Sequence, residues 1–332
     1  MDADSEDFAA SRAALTKIAA RRGMQESNQM RLRAYLLMLF VVAVWGSTFV
    51  VVKGALADAS PALFNLLRMV LSFALLAVVY HRAWSGLTRR QVVSGAVVGL
   101  CLAAGYQFQT IGLVRTTPSK SAFITGLVVV LVPLLSMIPG VHPPGARRPR
   151  WNAWVGAALA FVGILLLTAP PAANSVIPDF ASINLGDVLT FGCSIGFALH
   201  CIALAHVSPR IGFQPLALLQ IGFCALFMLV SLPFIERPHV VWTANLVIAL
   251  VVAAVLATAA AFSIQSWAQA VLPSTHIALI LTLEPVFAAI TSFVVLHERL
   301  GLRAASGAAL ILVAIALTEL MPQPHVPTAH EA

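Results

Sequence analysis

Two charged residues stand inside apolar runs of this chain, where an ionised side chain is costly and calls for a named partner or a function. Glu284 lies about eight residues into the run 275–296 and is followed directly by Pro285. A proline removes a backbone donor and can open a helix there. A carboxylate beside such an opening could bind a substrate amine, take up and release a proton, or pair with a neighbouring helix. Arg68 lies at a similar depth in the run 61–80. Its guanidinium could hold an anionic group in a bidentate grip, or serve as structural partner to a carbonyl or to Glu284. Uncharged polar and aromatic residues accompany them at helical spacing: Trp45 and Thr48; Tyr106, Gln109 and Thr110; Thr258, Phe262, Gln265 and Gln269. Amides beside aromatic rings suit a cavity for an organic solute, and equally suit ordinary hydrogen bonding between buried helices. His200 could relay a proton, but a packed neutral histidine is the simpler reading. Asp187 is expected to stabilise the start of its helix.

The elements that must carry these residues follow from composition. The 332 residues are 60% hydrophobic and 10% charged, against about half apolar and a quarter charged in a soluble domain. Lipid is therefore the expected solvent. Ten apolar runs are long enough for about 30 Å of hydrocarbon: 34–54, 61–80, 92–113, 119–138, 151–169, 185–206, 215–234, 243–268, 275–296 and 302–320. The expected fold class is an all-α integral membrane protein with ten transmembrane helices. Residues 1–33 begin acidic and turn basic, unlike a secretory leader, and read as a solvated tail. Cys101, Cys193, Cys201 and Cys224 all fall in apolar runs without ligand spacing, so no metal site or disulfide is expected.

Alternate threading puts thirteen Lys and Arg on the side of the N-terminus and six on the other. The positive-inside rule then makes both termini cytoplasmic. This scatter of short basic clusters between apolar runs explains the net charge of +7 without nucleic acid.

The two halves also repeat. A shift of 156 pairs Gln109 with Gln265, Thr110 with Ser266, Ser119 with Thr275, Ala122 with Ala278 and Ile124 with Ile280. A shift of 151 lays Gly156-Ala157-Ala158-Leu159 on Gly307-Ala308-Ala309-Leu310, and 152 lays Leu66-Leu67-Arg68 on Leu218-Leu219-Gln220. The expected organisation is a cytoplasmic tail (1–33), a first five-helix repeat (34–169), a linker (170–184), a second five-helix repeat (185–320) and a cytoplasmic tail (321–332). An odd helix number per repeat inverts one half against the other, an architecture recurrent in secondary transporters.

Several stretches carry a resemblance, in order across about 35–320. They are Trp45-Gly46-Ser47-Thr48-Phe49 with Lys53, Arg68, Ser119-Lys120-Ser121-Ala122-Phe123-Ile124-Thr125-Gly126, Gly186-Asp187, Leu283-Glu284-Pro285-Val286 and His297-Glu298-Arg299. Together they resemble the EamA-type ten-helix group of the drug/metabolite transporter superfamily. The resemblance implies two inverted five-helix repeats around a central cavity open alternately to each side. It also implies a substrate or coupling site at Glu284, Arg68, Gln109, Gln265 and Trp45. The halves are chemically asymmetric, with Gln220 where Arg68 would repeat and Val128 where Glu284 would.

The function expected is a secondary transporter acting as an exporter in the bacterial cytoplasmic (inner) membrane. Its substrate would be a small organic metabolite such as an amino acid or drug-like compound, with membrane lipid as solvent and protons or a counter-substrate as coupling partners. The small residues Gly156, Gly163 and Gly307 suit helix packing in the core or in a homodimer. The alternatives are a membrane-embedded enzyme and a non-transporting sensor or assembly factor. No HExxH, paired-Asp or Walker motif occurs, so neither catalysis, a cofactor nor an intrinsic ATPase is expected.

Overall fold

The structure, a computed structural model, describes residues 3–141, 151–168, 183–207, 210–272 and 280–320, with side chains from residue 29 onward except at 266, 269–271 and 318–320. The basic cluster Arg147, Arg148 and Arg150, most of the 170–184 linker, the C-terminal tail and the Thr275 and Ala278 ends of two repeat pairs lie outside the described residues.

Helix follows helix along the chain. α1 runs Ala3–Ala55, so the N-terminal segment continues the first span as one helix. α2 (Pro61–Val79) starts on a proline, whose missing N–H would have had no intrahelical acceptor anyway. A 3-10 turn at His81–Trp84 leads to α3 (Arg89–Leu113). There Thr88 Oγ1 accepts from the Gln91 N–H while the Thr88 N–H donates to Gln91 Oε1 at 2.9 Å, a reciprocal cap. α4 (Pro118–Thr125) is capped by Thr117 and followed by α5 (Val128–Leu135), α6 (Trp151–Thr168), α7 (Leu185–Val207) and α8 (Phe213–Ile235). Thr243 caps α9 (Ala244–Val251), which runs through a π-helical stretch, Val252–Ala260, into α10 (Ala261–Val271). α11 (Glu284–Leu296) and α12 (Leu302–Leu320) complete the chain. Among the described residues there is no strand, only a lone antiparallel bridge from Ala59 to Val240.

Eight stretches are long and apolar enough to cross a membrane: Gln29–Ala55, α2, α3, α4 with α5, α6, α7, α8 and Ala244–Gln265. α11 and Leu302–Leu317 are shorter apolar helices. Between 39% and 50% of each long span is buried inside the protein, and the rest turns large apolar side chains outward, among them Val78, Phe161 and Phe234. In water such a surface would be prohibitive; in lipid it is neutral. The two halves interleave. α3 packs on α7 and α8, α1 on α11, and α6 on α12.

Three expected spans differ in form from continuous helices. The fourth breaks at Gly126 and Leu127, between α4 and α5. Glycine is a weak helix former, and here it also admits a neighbour: a Cβ at Gly126 would lie 3.2 Å from the Pro285 ring. The eighth widens into the π-helical stretch. In the ninth, Glu284 is the first residue of α11 rather than one buried eight residues into a helix. Pro285 explains the shift, because proline fits the first helical turn and obstructs an interior. α1 reaches this restart closely, since a Cβ at Gly46 would stand 2.7 Å from the Glu284 carbonyl oxygen.

Candidate functional site

A cavity of about 430 Å³ lies between α1, α3, α7, α10 and the two interrupted helices. All five residues expected at a site line it: Trp45, Arg68, Gln109, Gln265 and Glu284. Aromatic rings make much of the remaining wall, with Trp45 and Phe262 at 5.7 Å between centroids and Tyr106 edge-on to Phe197 at 5.1 Å. Both breaks open onto this space, through Gly126 and Val128 on one side and Thr282 and Glu284 on the other. The restart points Val128 and Glu284 are 156 residues apart (284 − 128), the same spacing as Gln109 and Gln265 (265 − 109).

The charges do not pair with each other. Arg68 is 4% exposed and turns to the π-helical stretch. Its Nε donates to Thr258 Oγ1 at 2.8 Å, and its Nη2 to Tyr106 Oη at 3.2 Å and to the Ala257 carbonyl at 3.4 Å. The guanidinium carbon sits 4.4 Å from the centre of the Tyr106 ring, a cation–π contact. In π-helical turns each carbonyl accepts from the N–H five residues on, and its remaining lone pair can take a side-chain donor. Trp45 Nε1 supplies one to Ala257 at 2.8 Å, and Ser72 Oγ supplies one to Ala254 at 2.9 Å. Trp45 and Arg68 thus hold the wall of the cavity as well as facing it.

Glu284 is different. Among the described residues its carboxylate makes no hydrogen bond and no ion pair. Gln265 also makes no side-chain hydrogen bond among them, and Gln109 makes a long one to Thr125, at 3.4 Å. Three polar groups therefore face the cavity with donors and acceptors to spare. His200 is buried and bonded to Gln220 at 2.9 Å, and it also lines the cavity. Of the four residues expected on one face around position 262, Phe262 and Gln265 line the cavity while Thr258 faces Arg68. The π-helical turns rotate the face between them. The Gln269 side chain lies outside the described residues.

At the end of the molecule where α1 stops, the loop from α3 to α4 is held from three directions. Lys53 Nζ donates to the carbonyls of Leu113 (2.6 Å), Val114 (2.9 Å) and Thr116 (3.0 Å), the negative end of α3. Glu298 accepts from Ser119 Oγ at 2.9 Å and from Ser292 Oγ. Asp187 lies in the first turn of α7 as expected, but Asn184 makes the capping bond, accepting from the Gly186 N–H at 2.7 Å. The Asp187 carboxylate reaches across instead, to Thr116 Oγ1 and to Lys120 at 3.8 Å. Asp187→Ala is accordingly expected to cost about 1–2 kcal/mol. In melting curves of detergent-solubilised protein, that loss should be less than additive with Lys120→Ala. A carboxylate serving only the helix dipole would give additive losses of a few tenths.

Some contributors escaped the sequence reading. Asn65 is fully buried and donates to Gln107 Oε1 at 2.9 Å and to the Tyr106 carbonyl at 3.0 Å, while Thr110 Oγ1 donates to it at 2.9 Å. Its place three residues before Arg68, on the same helical face, was the available signal. Phe197 carried none, as one more phenylalanine in an apolar run.

A sequence model of the family described as "EamA-like transporter family" matches the chain twice, at residues 32–169 and 184–320. An uncharacterized transporter of Archaeoglobus fulgidus is 33% identical over 292 residues, 87% of each chain. The uncharacterized transporter YvbV of Bacillus subtilis is 25% identical over 294 residues, 86% of this chain and 91% of that one. One solved structure, described only as the crystal structure of a protein, superposes with a TM-score of 0.55 at 19% identity, over 87% of this chain and 97% of that one. It supports the fold alone.

Proposed function

The chain belongs to the EamA-like transporter family, and from that premise we propose that it is a secondary transporter exporting a small organic solute, such as an amino acid or a drug-like compound, from the cytoplasm. The observation that carries this reading is the cavity at two interrupted helices whose restart points, Val128 and Glu284, are 156 residues apart. Discontinuous helices in corresponding positions of two halves are a mark of substrate sites built at the interface of inverted repeats. We read α11 and α12 as the ninth and tenth spans, which makes residues 34–169 and 185–320 two five-helix repeats of opposite orientation. Both termini, in that threading, lie in the cytoplasm. Alternating access would come from rocking one bundle against the other about the cavity.

Within the site we assign Glu284, Gln109 and Gln265 to the solute, because each faces the cavity with unspent hydrogen-bonding capacity. Trp45 and Arg68 are assigned to the same wall, with their polar atoms engaged by the π-helical stretch and their remaining surfaces toward the solute. Protons or a counter-substrate would drive the cycle through Glu284.

Efflux decides the matter. The protein would be expressed in an exporter-deficient bacterial host beside an empty-vector control, and loaded cells tested with amino acids, toxic analogues and lipophilic cations. Export of some panel members above the control is the expected result. Uptake into the cells instead would overturn the direction. Finding neither export nor uptake, in a host where purified protein also binds no panel member, would overturn the reading.

A further inference from the structure

Between Asp58 and Asp179, and again between Asp187 and Glu236, the chain has no Asp or Glu. The fold brings one segment from each acid-free stretch together at the end of the molecule opposite Lys53. The start of α3 meets the end of α7 around a second cavity of about 280 Å³. Arg90, Arg210, His206, Ser94 and Gln91 line it, and no carboxylate does. Neither arginine makes a hydrogen bond or ion pair among the described residues, and His206 spends one ring nitrogen on the Ile202 carbonyl at 2.9 Å. Two guanidinium groups left unpaired around one hollow suit an anion, since their fork matches phosphate oxygens.

The surroundings say which anion. Val98, Ile211 and Leu216 form a small apolar cluster among the same segments. On α3 the residues Arg90, Ser94 and Val97 follow one another at helical spacing. Val97 (51% exposed) and Leu100 (52%) continue outward onto the face that meets lipid. A ligand with its charge beside Arg90 would find hydrocarbon surface directly beyond it. Free phosphate has no use for that stripe, whereas an acyl chain does. Basic pockets between helices at the cytoplasmic side of a membrane commonly hold lipid headgroups. We infer that the pocket between the start of α3 and the end of α7 binds the phosphate headgroup of an anionic phospholipid, through Arg90 and Arg210, with an acyl chain along Val97 and Leu100.

The test uses full-length protein in a non-ionic detergent, read by melting temperature and by native mass spectrometry. Phosphatidylglycerol is expected to raise the melting temperature by about 5 °C near saturation and to remain bound as one retained lipid. Phosphatidylcholine with the same acyl chains, and inorganic phosphate, should do neither. The Arg90→Gln/Arg210→Gln protein should lose both effects. Arg82→Gln/Arg89→Gln, which removes two charges at the same end but outside the pocket, should keep them. All four arginines are exposed, so both variants are expected to fold, and their own melting curves without lipid check it. Equal stabilisation by phosphatidylcholine would mean ordinary solvating lipid and overturn the site. Equal stabilisation by inorganic phosphate would overturn the lipid assignment. A phosphatidylglycerol effect undiminished in the Arg90→Gln/Arg210→Gln protein would overturn the residues. None of these readouts depends on transport.

Discussion

Glu284→Gln is expected to lower export by about tenfold or more, the equivalent of roughly 1.4 kcal/mol or greater, while membrane abundance and melting temperature stay at or above those of the wild type. The two halves of this expectation come from one observation. A carboxylate that structure depends on would be tied to donors, as Asp187 is to Thr116 and Lys120. Glu284 has no such tie among the described residues. Removing a charge that sits in a largely apolar cavity without a partner relieves a desolvation cost and breaks no bond. Stability then gives no reason for a carboxylate at this position, as expected if Glu284 serves the solute or the driving ion. Glutamine keeps the shape and a carbonyl acceptor but neither the negative charge nor an exchangeable carboxyl proton. Efflux from loaded cells, with protein quantified in the same membranes, measures the first half, and melting of purified protein the second. A variant that melts well below wild type, with export falling only in proportion to protein level, would make Glu284 a structural residue.

Eight of the ten expected spans are matched by helices long and apolar enough to cross a membrane, legible because burial in lipid sums over some twenty residues, so single substitutions do not blur the signal. Arg68 and Glu284 stood out because charges in such runs are rare. What each charge pairs with was not legible. Pairing depends on distances between helices far apart in the chain, such as the 190 residues between Arg68 and Thr258. Pro285 marked a helix break, yet the apolar run 275–296 placed Glu284 inside a helix rather than at its start. The π-helical stretch left no trace at all. Val252–Ala260 reads VAAVLATAA, without proline or glycine. Its widened turns are accompanied by donors from elsewhere, namely Trp45, Arg68 and Ser72. Likewise His297-Glu298 was visible as a short motif, but its bond to Ser119 joins residues 179 apart. The helix restarts at Val128 and Glu284 are separated by 156 residues, the spacing that also separates Gln109 from Gln265.

Arg68→Ala should behave in the opposite way to Glu284→Gln, losing stability and export together. The guanidinium ties α2 to the π-helical stretch through Thr258 and Ala257 and stacks on Tyr106. Hydrogen bonds to charged groups contribute about 1.5–3 kcal/mol, and alanine supplies neither donor nor ring contact. A loss of roughly 2–3 kcal/mol is expected, or about 3–4 °C in melting temperature for a protein of this size. Arg68→Lys should recover little of it. A single ammonium cannot donate along the separate Nε and Nη2 directions while lying flat on an aromatic ring. The pairing can be isolated with Thr258→Val, whose effect should be less than additive with Arg68→Ala by about 1 kcal/mol. Export should fall because Trp45 shares the Ala257 carbonyl with Arg68, so loosening that segment moves a second residue of the cavity wall. The alternative is an arginine that grips an anionic group on the solute. In that case Arg68→Ala would melt as wild type and lose only anionic or zwitterionic substrates, keeping lipophilic cations. Comparing the melting curve with the substrate spectrum of the same variant therefore separates an arginine that shapes the cavity from one that binds its contents.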